Sequence, residues 1–176
     1  MKPSDPRIPT TVALVALTVW IGGLLALGAI VAPVAFGTLP RDLAAGMMAI
    51  AFARFDKVAM GAAAVVLGSE AWRLRGSAAV VLDRASMARV IVSVIVTGLA
   101  CADGLWLTPT ITTLHTQGAV RGVGEAGAAL ESAHALAEQS GKAQVLLAIA
   151  LIALHVYTLP SRKAARDRSA EANSSA

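Results

Sequence analysis

The sequence is poor in cysteine, in aromatic residues and in charge. It contains one cysteine, Cys101, so the chain can form no internal disulfide bond and has no paired-cysteine metal site. Aromatic residues make up 4% of the chain and charged residues 15%, well below the charged share of an ordinary soluble domain, while hydrophobic residues reach 56%. This composition predicts a membrane protein, in which we expect Cys101 to serve packing.

Four apolar stretches have the length that a membrane span requires. A spanning helix needs about 20 residues to cross about 30 Å of hydrocarbon. The stretches are residues 11–33, 52–72, 88–110 and 140–159. We therefore predict an all-α fold, a four-transmembrane-helix bundle over residues 11–160. Residues 1–10 are predicted to be a disordered lead and residues 161–176 a disordered basic tail.

The net charge of +4 is distributed in a way that indicates topology rather than nucleic-acid binding. Basic residues cluster before the first stretch, between the second and third, and after the fourth. The positive-inside rule then predicts a multi-pass protein of the cell inner membrane with both termini in the cytosol and the lipid bilayer as its partner. The first stretch could instead be a signal peptide, but it exceeds the usual 7–15 residues, so an uncleaved span is favoured.

Prolines and glycines predict where the helices end. Pro33 and Pro40 should bracket a tight turn, because each disfavours helix at the residue before it. The third helix is expected to end near Pro109. A polar, glycine-rich loop is predicted over residues 112–127, and Asp83 or Ser86 is expected to cap the third helix.

Charged residues interrupt three of the four stretches at a similar height. With a rise of 1.5 Å per residue, they fall roughly 21–31 Å from the cytosolic ends of their helices. Such charges are costly in hydrocarbon and mark solute, ion or proton pathways when they face the bundle interior. The members of this predicted polar layer are Arg54, Asp56, Lys57, Asp103, Glu138 and Lys142.

The simplest arrangement of these charges is a set of ion pairs. Asp103 is predicted to pair with Lys57 or Arg54, and Asp56 with Lys142. Two interpretations are open: the layer forms a path for a proton, an ion or a solute, or it only fixes the register of the helices while its outermost members reach the headgroups.

A second candidate site lies at the outer ends of the last two helices. Glu131, His134 and Glu138 share one stripe of a helix, and His115 follows the third stretch. If the loop folds back, these four residues form a ligand set for Zn²⁺ or Cu²⁺. A solvated first helical turn explains the same spacing. His155, beside Tyr157, is interpreted as an aromatic-belt position at the membrane interface.

Enzyme chemistry has little support in the sequence. Ser132 and Ser140 lie near His134, but spacing alone does not supply a nucleophile, a base and an orienting group in one site. We expect no catalytic activity.

Several segments resemble a known family. The run Trp20-Ile21-Gly22-Gly23, the run from Ala32 to Pro40, the run from Leu107 to His115 and the segment around His134 follow the order of motifs in the transmembrane protein 205-like family. This chain departs from that family at Ala137 and Gly141. The resemblance implies a small four-helix membrane protein and no established activity. A more distant similarity to the copper-resistance D membrane proteins adds weight to His115 and His134 as candidate metal ligands.

The sequence is compatible with two functions from different classes. The first is the handling or transport of a small solute or cation through the polar layer. The alternative is a structural or partner-binding subunit without transport or catalytic activity, in which a first helix faced with Gly22, Gly23 and Gly28 docks on another membrane protein or on a second copy of the chain.

Overall fold

The computed structural model describes residues 7–76 and 83–159, which form four long helices. Within these ranges there is no strand, in agreement with the predicted all-α fold. The predicted tail, residues 161–176, and residues 1–6 of the predicted lead lie outside the described residues. The helices are α1 (Arg7–Thr38), α2 (Arg41–Gly76), α3 (Arg84–Thr116) and α4 (Gly124–Tyr157).

The helices pack as an antiparallel four-helix bundle. α1 contacts α2 and α4, and α3 contacts the same two helices, so helices adjacent in sequence are adjacent in space. In the connection between α3 and α4, Gly118 and Gly122 adopt positive φ angles of 78° and 77°, which glycine takes without steric cost. α1 and α3 begin at one end of the bundle, where α2 and α4 end. We call this the basal end and the opposite one the distal end.

The first turns of α1 and α3 are determined by local chemistry. The described part of α1 starts at Arg7, inside the predicted lead, and contains Pro9 in its first turn, where proline is tolerated, followed by the buried Thr10. Asp83 caps α3, as expected, by accepting a hydrogen bond of 2.9 Å from the Ser86 N–H. Hydrogen bonds from the side chain and the backbone of Ser86 lower the pKa of the exposed Asp83 carboxyl.

Two prolines lie inside continuous helices, so the predicted turn at Pro33 and the predicted helix end near Pro109 are wrong. A proline lacks an N–H, and its ring clashes with the carbonyl four residues before it. Immediately upstream of each proline the helix widens into a π-helical segment, Ala26–Val31 in α1 and Asp103–Leu107 in α3. The wider turn accommodates the ring, and both helices continue to their distal ends.

The main apolar core occupies the middle of the bundle. Small residues at the contacts, including Ala59, Ala63 and Ala100, let the helices approach closely. Larger side chains fill the space between them and are almost fully buried, namely Leu17, Trp20, Val66, Val96 and Leu151.

In the described part of the chain, three helices, α1, α3 and α4, are long and apolar enough to cross a membrane. Their outward faces carry large exposed apolar side chains such as Leu105 and Leu146, each 69% exposed, which lipid can cover. α2 does not reach that apolarity, since Arg54, Asp56 and Lys57 lie along it. The helices together indicate a multi-pass membrane protein.

Candidate functional site

Two groups of polar side chains lie inside the bundle, and each draws on all four helices. The group nearer the distal end contains two acidic residues, and we call it the carboxylate layer. The group at the basal end contains acidic and basic side chains, and we call it the basal layer. The carboxylate layer consists of Trp20, Asp56, Asp103, Thr108, Ser140 and Gln144, and the basal layer consists of Thr10, Glu70, Arg73, Arg89, His155 and Thr158.

Asp103 is held by a chain of hydrogen bonds that starts at Trp20. The Trp20 Nε1–H donates to Gln144 Oε1 over 3.1 Å, which turns the amide nitrogen of Gln144 toward Asp103. That nitrogen donates to Asp103 Oδ2 over 2.6 Å, and the Ser140 hydroxyl donates to the same oxygen over 2.9 Å. The chain joins α1, α4 and α3 and fixes one oxygen of Asp103. Asp103 also begins the π-helical segment of α3, a type of irregularity frequent at functional sites.

Asp56 approaches Asp103 from α2. Its side chain lies near the Thr108 hydroxyl, and the carboxyl groups of Asp56 and Asp103 are close enough to interact electrostatically. Gly104 permits this approach, because a Cβ at that position would lie 3.2 Å from the Cβ of Asp56 and 3.2 Å from the Met60 side chain. Asp56 Oδ2 and Asp103 Oδ1 are both buried and have no hydrogen-bond partner among the described residues.

The predicted ion pairs of this layer are wrong, because the cations face away from the carboxylates. Arg54 and Lys57 are exposed on α2, where about 100° of rotation per residue turns them away from Asp56. Lys142 lies between the inward-facing Ser140 and Gln144 on α4 and therefore points outward. It pairs instead with Glu138 over 2.7 Å, and the two side chains are 60% and 65% exposed.

The basal layer is built around a buried ion pair. Arg89 Nε donates to both carboxylate oxygens of Glu70, over 2.8 and 2.9 Å, and Arg89 Nη1 donates to the Thr158 hydroxyl over 2.8 Å. Glu70 and Arg89 are only 2% and 3% exposed. The pair joins α2 to α3, and Thr158 extends it to the end of α4.

His155 links this ion pair to Arg73. Arg73 Nη1 donates to the Thr10 hydroxyl over 2.6 Å and lies 3.4 Å from His155 Nδ1. Because a guanidinium only donates, Nδ1 of a neutral His155 is the acceptor and Nε2 carries the proton. Nε2 lies 3.5 Å from Glu70 Oε1 and is buried without a hydrogen-bond partner among the described residues, so the ring lies between Arg73 and Glu70.

Sequence reasoning missed the basal layer. It counted Arg89 in the cluster of basic residues between the second and third stretches that indicates topology, it interpreted His155 as an aromatic-belt residue, and it did not consider Glu70. The helical period along α2 carries the missing information, because Ala59, Ala63, Val66 and Glu70 recur every three or four residues on the buried face.

Part of the predicted metal site is brought together at the distal end. His134 Nε2 and His115 Nε2 are 3.4 Å apart, and the two rings meet edge to face with centroids separated by 5.6 Å. Glu131 is exposed, and Glu138 is engaged with Lys142. In residues 7–76 and 83–159, no group of three or more histidine, cysteine or acidic side chains is arranged to hold a metal ion. The structure therefore brings together the two histidines of the predicted metal site but not Glu131 and Glu138.

The fold and these layers define an all-α, multi-pass type of membrane protein with polar side chains inside its helical bundle. Residues 15–120, more than half of the 176-residue chain, match the family model described as Domain of unknown function (DUF4149), and the chain belongs to this family. No curated protein and no solved structure matches the chain. The matched range contains Asp56, Asp103 and His115 and ends before Ser140 and Gln144.

Proposed function

We propose that the carboxylate layer binds a small cation, a proton included, and that the bundle handles or transports this cation across the membrane. One observation carries the proposal. Asp56 and Asp103 approach each other inside the bundle, each with a buried oxygen that lacks a described partner, while Arg54, Lys57 and Lys142 face outward.

The energetic argument concerns two negative charges that have no counterion. Even on the lenient insertion scale, one charge in the hydrocarbon costs on the order of 2.5–3.5 kcal/mol. Two neighbouring carboxylates add mutual repulsion, which a proton shared between them or a bound cation removes. The hydrogen bonds from Ser140 and Gln144 orient the Asp103 carboxylate without neutralising it.

The chemistry of the site favours a hard cation. The open ligand atoms are carboxylate oxygens, and the Met60 thioether beside Gly104 is only a weak, uncharged acceptor. Oxygen donors suit a proton or a cation such as Na⁺ or K⁺ better than soft metal ions.

Reconstitution into proteoliposomes tests this function. Uptake of H⁺, Na⁺ and K⁺ would be measured for the wild type, for Asp56→Asn and for Asp103→Asn, after purification shows that each variant is folded. We expect flux of one of these cations in the wild type and its loss in both variants. Glu138→Gln is the matched control, because it removes a carboxylate at a similar height that is exposed and already paired. Absence of flux of all three cations, or equal loss in Glu138→Gln, would overturn the proposal.

We propose further that all four helices span the cell inner membrane and that the basal end faces the cytosol. The distribution of arginines supports this orientation, since Arg73, Arg75 and Arg84 lie toward the basal end and fewer basic residues lie at the distal one. α2 contacts both α1 and α3, which places it within the bundle that the apolar helices form. Membership of the transmembrane protein 205-like family remains a prediction from the sequence motifs.

A second candidate, a partner-binding subunit, draws support from α1. Gly22 and Gly28 are exposed, and a Cβ added at either would meet nothing within 4 Å, so both leave a flat surface toward the lipid. Gly23 differs, because it packs against Phe55 within the bundle. Cysteine cross-linking between copies at Gly22 and Gly28 would support this candidate, and a monomeric protein in nanodiscs would count against self-association.

A further inference from the structure

We propose that His115 and His134 bind a monovalent soft cation, Cu⁺, in two-coordinate geometry between their Nε2 atoms. The site lies at the distal end, apart from the carboxylate layer, and the inference does not depend on the function proposed above. It also differs from the four-ligand Zn²⁺ or Cu²⁺ site that the sequence predicted, since it uses the imidazoles alone.

The distance between the rings suits a bridging ion. The Nε2 atoms are 3.4 Å apart, and a metal–imidazole bond is about 2 Å long, so a linear pair requires a separation of about 4 Å. A change of about 0.6 Å is within reach of small side-chain rotations at two partly exposed rings.

The backbone around the pair holds the two rings near each other. α3 ends with hydrogen bonds from the N–H of Gln117 to Thr113 O and from the N–H of Ala119 to Leu114 O, which flank His115. At the start of α4, Gly127 lies directly against the Val120 carbonyl, where a Cβ could not fit. This tight contact anchors the connection between the helices, so the proximity of His115 and His134 is built into the fold.

The surroundings favour a monovalent ion over a divalent one. Zn²⁺ in proteins takes three or four protein ligands, and no third ligand joins the pair in the part of the chain that the structure describes. The Arg121 guanidinium also acts electrostatically on His134, and a dication would be repelled about twice as strongly as a monocation. Cu⁺ has a filled d shell and is satisfied by two nitrogen donors in line.

Anaerobic titration of the purified full-length chain with Cu⁺, in competition with a chromogenic Cu⁺ chelator, tests the proposal. We expect one Cu⁺ per chain in the wild type and binding weakened more than about ten-fold in His115→Gln and in His134→Gln. Arg121→Gln should bind Cu⁺ more tightly, because a repulsive charge is removed. Asp103→Asn should bind as the wild type does, which separates this site from the carboxylate layer.

Glu131→Gln and Glu138→Gln are the matched controls, and X-ray absorption at the copper edge reports the coordination number. Unchanged affinity in both controls and a two-coordinate spectrum would support the proposal. Weaker binding in either control, or a four-coordinate spectrum, would overturn it in favour of the larger ligand set. If the folded wild type binds no Cu⁺, or if the histidine variants bind it equally well, the proposal is wrong and the pair is a ring-to-ring hydrogen bond only.

Discussion

The two polar layers of the bundle differ in whether their buried acidic side chains have a basic partner. In the basal layer, the charge of Glu70 is matched by Arg89 at 2.8 Å, the Thr158 hydroxyl accepts a hydrogen bond from Arg89, and the His155 ring lies 3.5 Å from Glu70. In the carboxylate layer, two acidic side chains, Asp56 and Asp103, lie together, and the described donors to Asp103 are the neutral Ser140 and Gln144. The first arrangement joins the helices through an ion pair, and the second leaves one buried oxygen on each carboxyl group without a described partner.

The layers are far enough apart to be studied separately. Asp56 and Glu70 are both on α2, and a separation of 14 in residue number corresponds to a rise of about 21 Å. The apolar core around Val66 and Val96 lies between the layers. Substitutions more than about 10 Å apart with no shared partner have nearly additive effects, so each layer can be altered without disturbing the other.

The largest effect is expected from Glu70→Gln. This substitution leaves Arg89 buried without its counterion, and breaking a buried pair in this way costs about 3–5 kcal/mol. Thermal unfolding in detergent, followed by circular dichroism, measures the loss. Glu138→Gln removes an exposed acidic residue from an ion pair and should change stability by less than about 1 kcal/mol. Equal melting curves for the two variants would contradict the assignment of the basal layer as a structural ion pair.

Trp20→Phe tests the hydrogen-bond chain that orients Asp103. The phenyl ring keeps most of the apolar packing but removes the Nε1–H that Gln144 Oε1 accepts, which leaves a buried acceptor unsatisfied. We expect a loss of about 1–3 kcal/mol in the free energy of unfolding. The same melting assay measures it, with Trp106→Phe as the control because Trp106 is 61% exposed. A loss no larger than that of the control would show that Gln144 does not depend on Trp20.

Asp103→Asn is expected to have a small effect on stability, in contrast to Glu70→Gln. Asparagine keeps an oxygen for the bonds from Ser140 and Gln144 and removes one of two like charges, so stability should rise by on the order of 1 kcal/mol. A pairing of Asp103 with Lys57 or Arg54, as the sequence predicted, requires a loss instead. Chemical or thermal unfolding at low salt distinguishes a gain from a loss.

The smallest effect concerns the cap of α3 and depends on pH. The pKa of Asp83 is lower in the folded chain than in the unfolded one, because Ser86 donates hydrogen bonds to its carboxylate. Its stabilising contribution is therefore present above the unfolded pKa and is lost as the pH falls through the folded pKa. Asp83→Asn keeps a capping oxygen without titrating, so its stability relative to the wild type should improve on acidification. Parallel melting curves at neutral and acidic pH check this, and a constant difference would contradict it.

The sequence was sufficient for the parts of the fold that depend on local pattern. Apolar length predicted the helices, and charged residues inside the apolar runs predicted a polar layer that includes Asp103. The ion pairs of this layer could not be predicted from the sequence, because the height of Lys57 or Lys142 along its helix does not determine the face of the helix on which it lies. The continuation of α1 past Pro33 depends on a π-helical segment, which the rule for residues before proline does not include.

Melting temperature as a function of bound cation tests the central claim most directly. A ligand that binds only the folded state stabilises it by an amount that grows with its concentration. The wild type and Asp56→Asn/Asp103→Asn would be melted in detergent over a range of Na⁺, K⁺ and H⁺ concentrations, with Glu138→Gln as the control. The account predicts that one of these cations stabilises the wild type and Glu138→Gln but not the double variant. Identical responses of the wild type and the double variant to all three cations would contradict it.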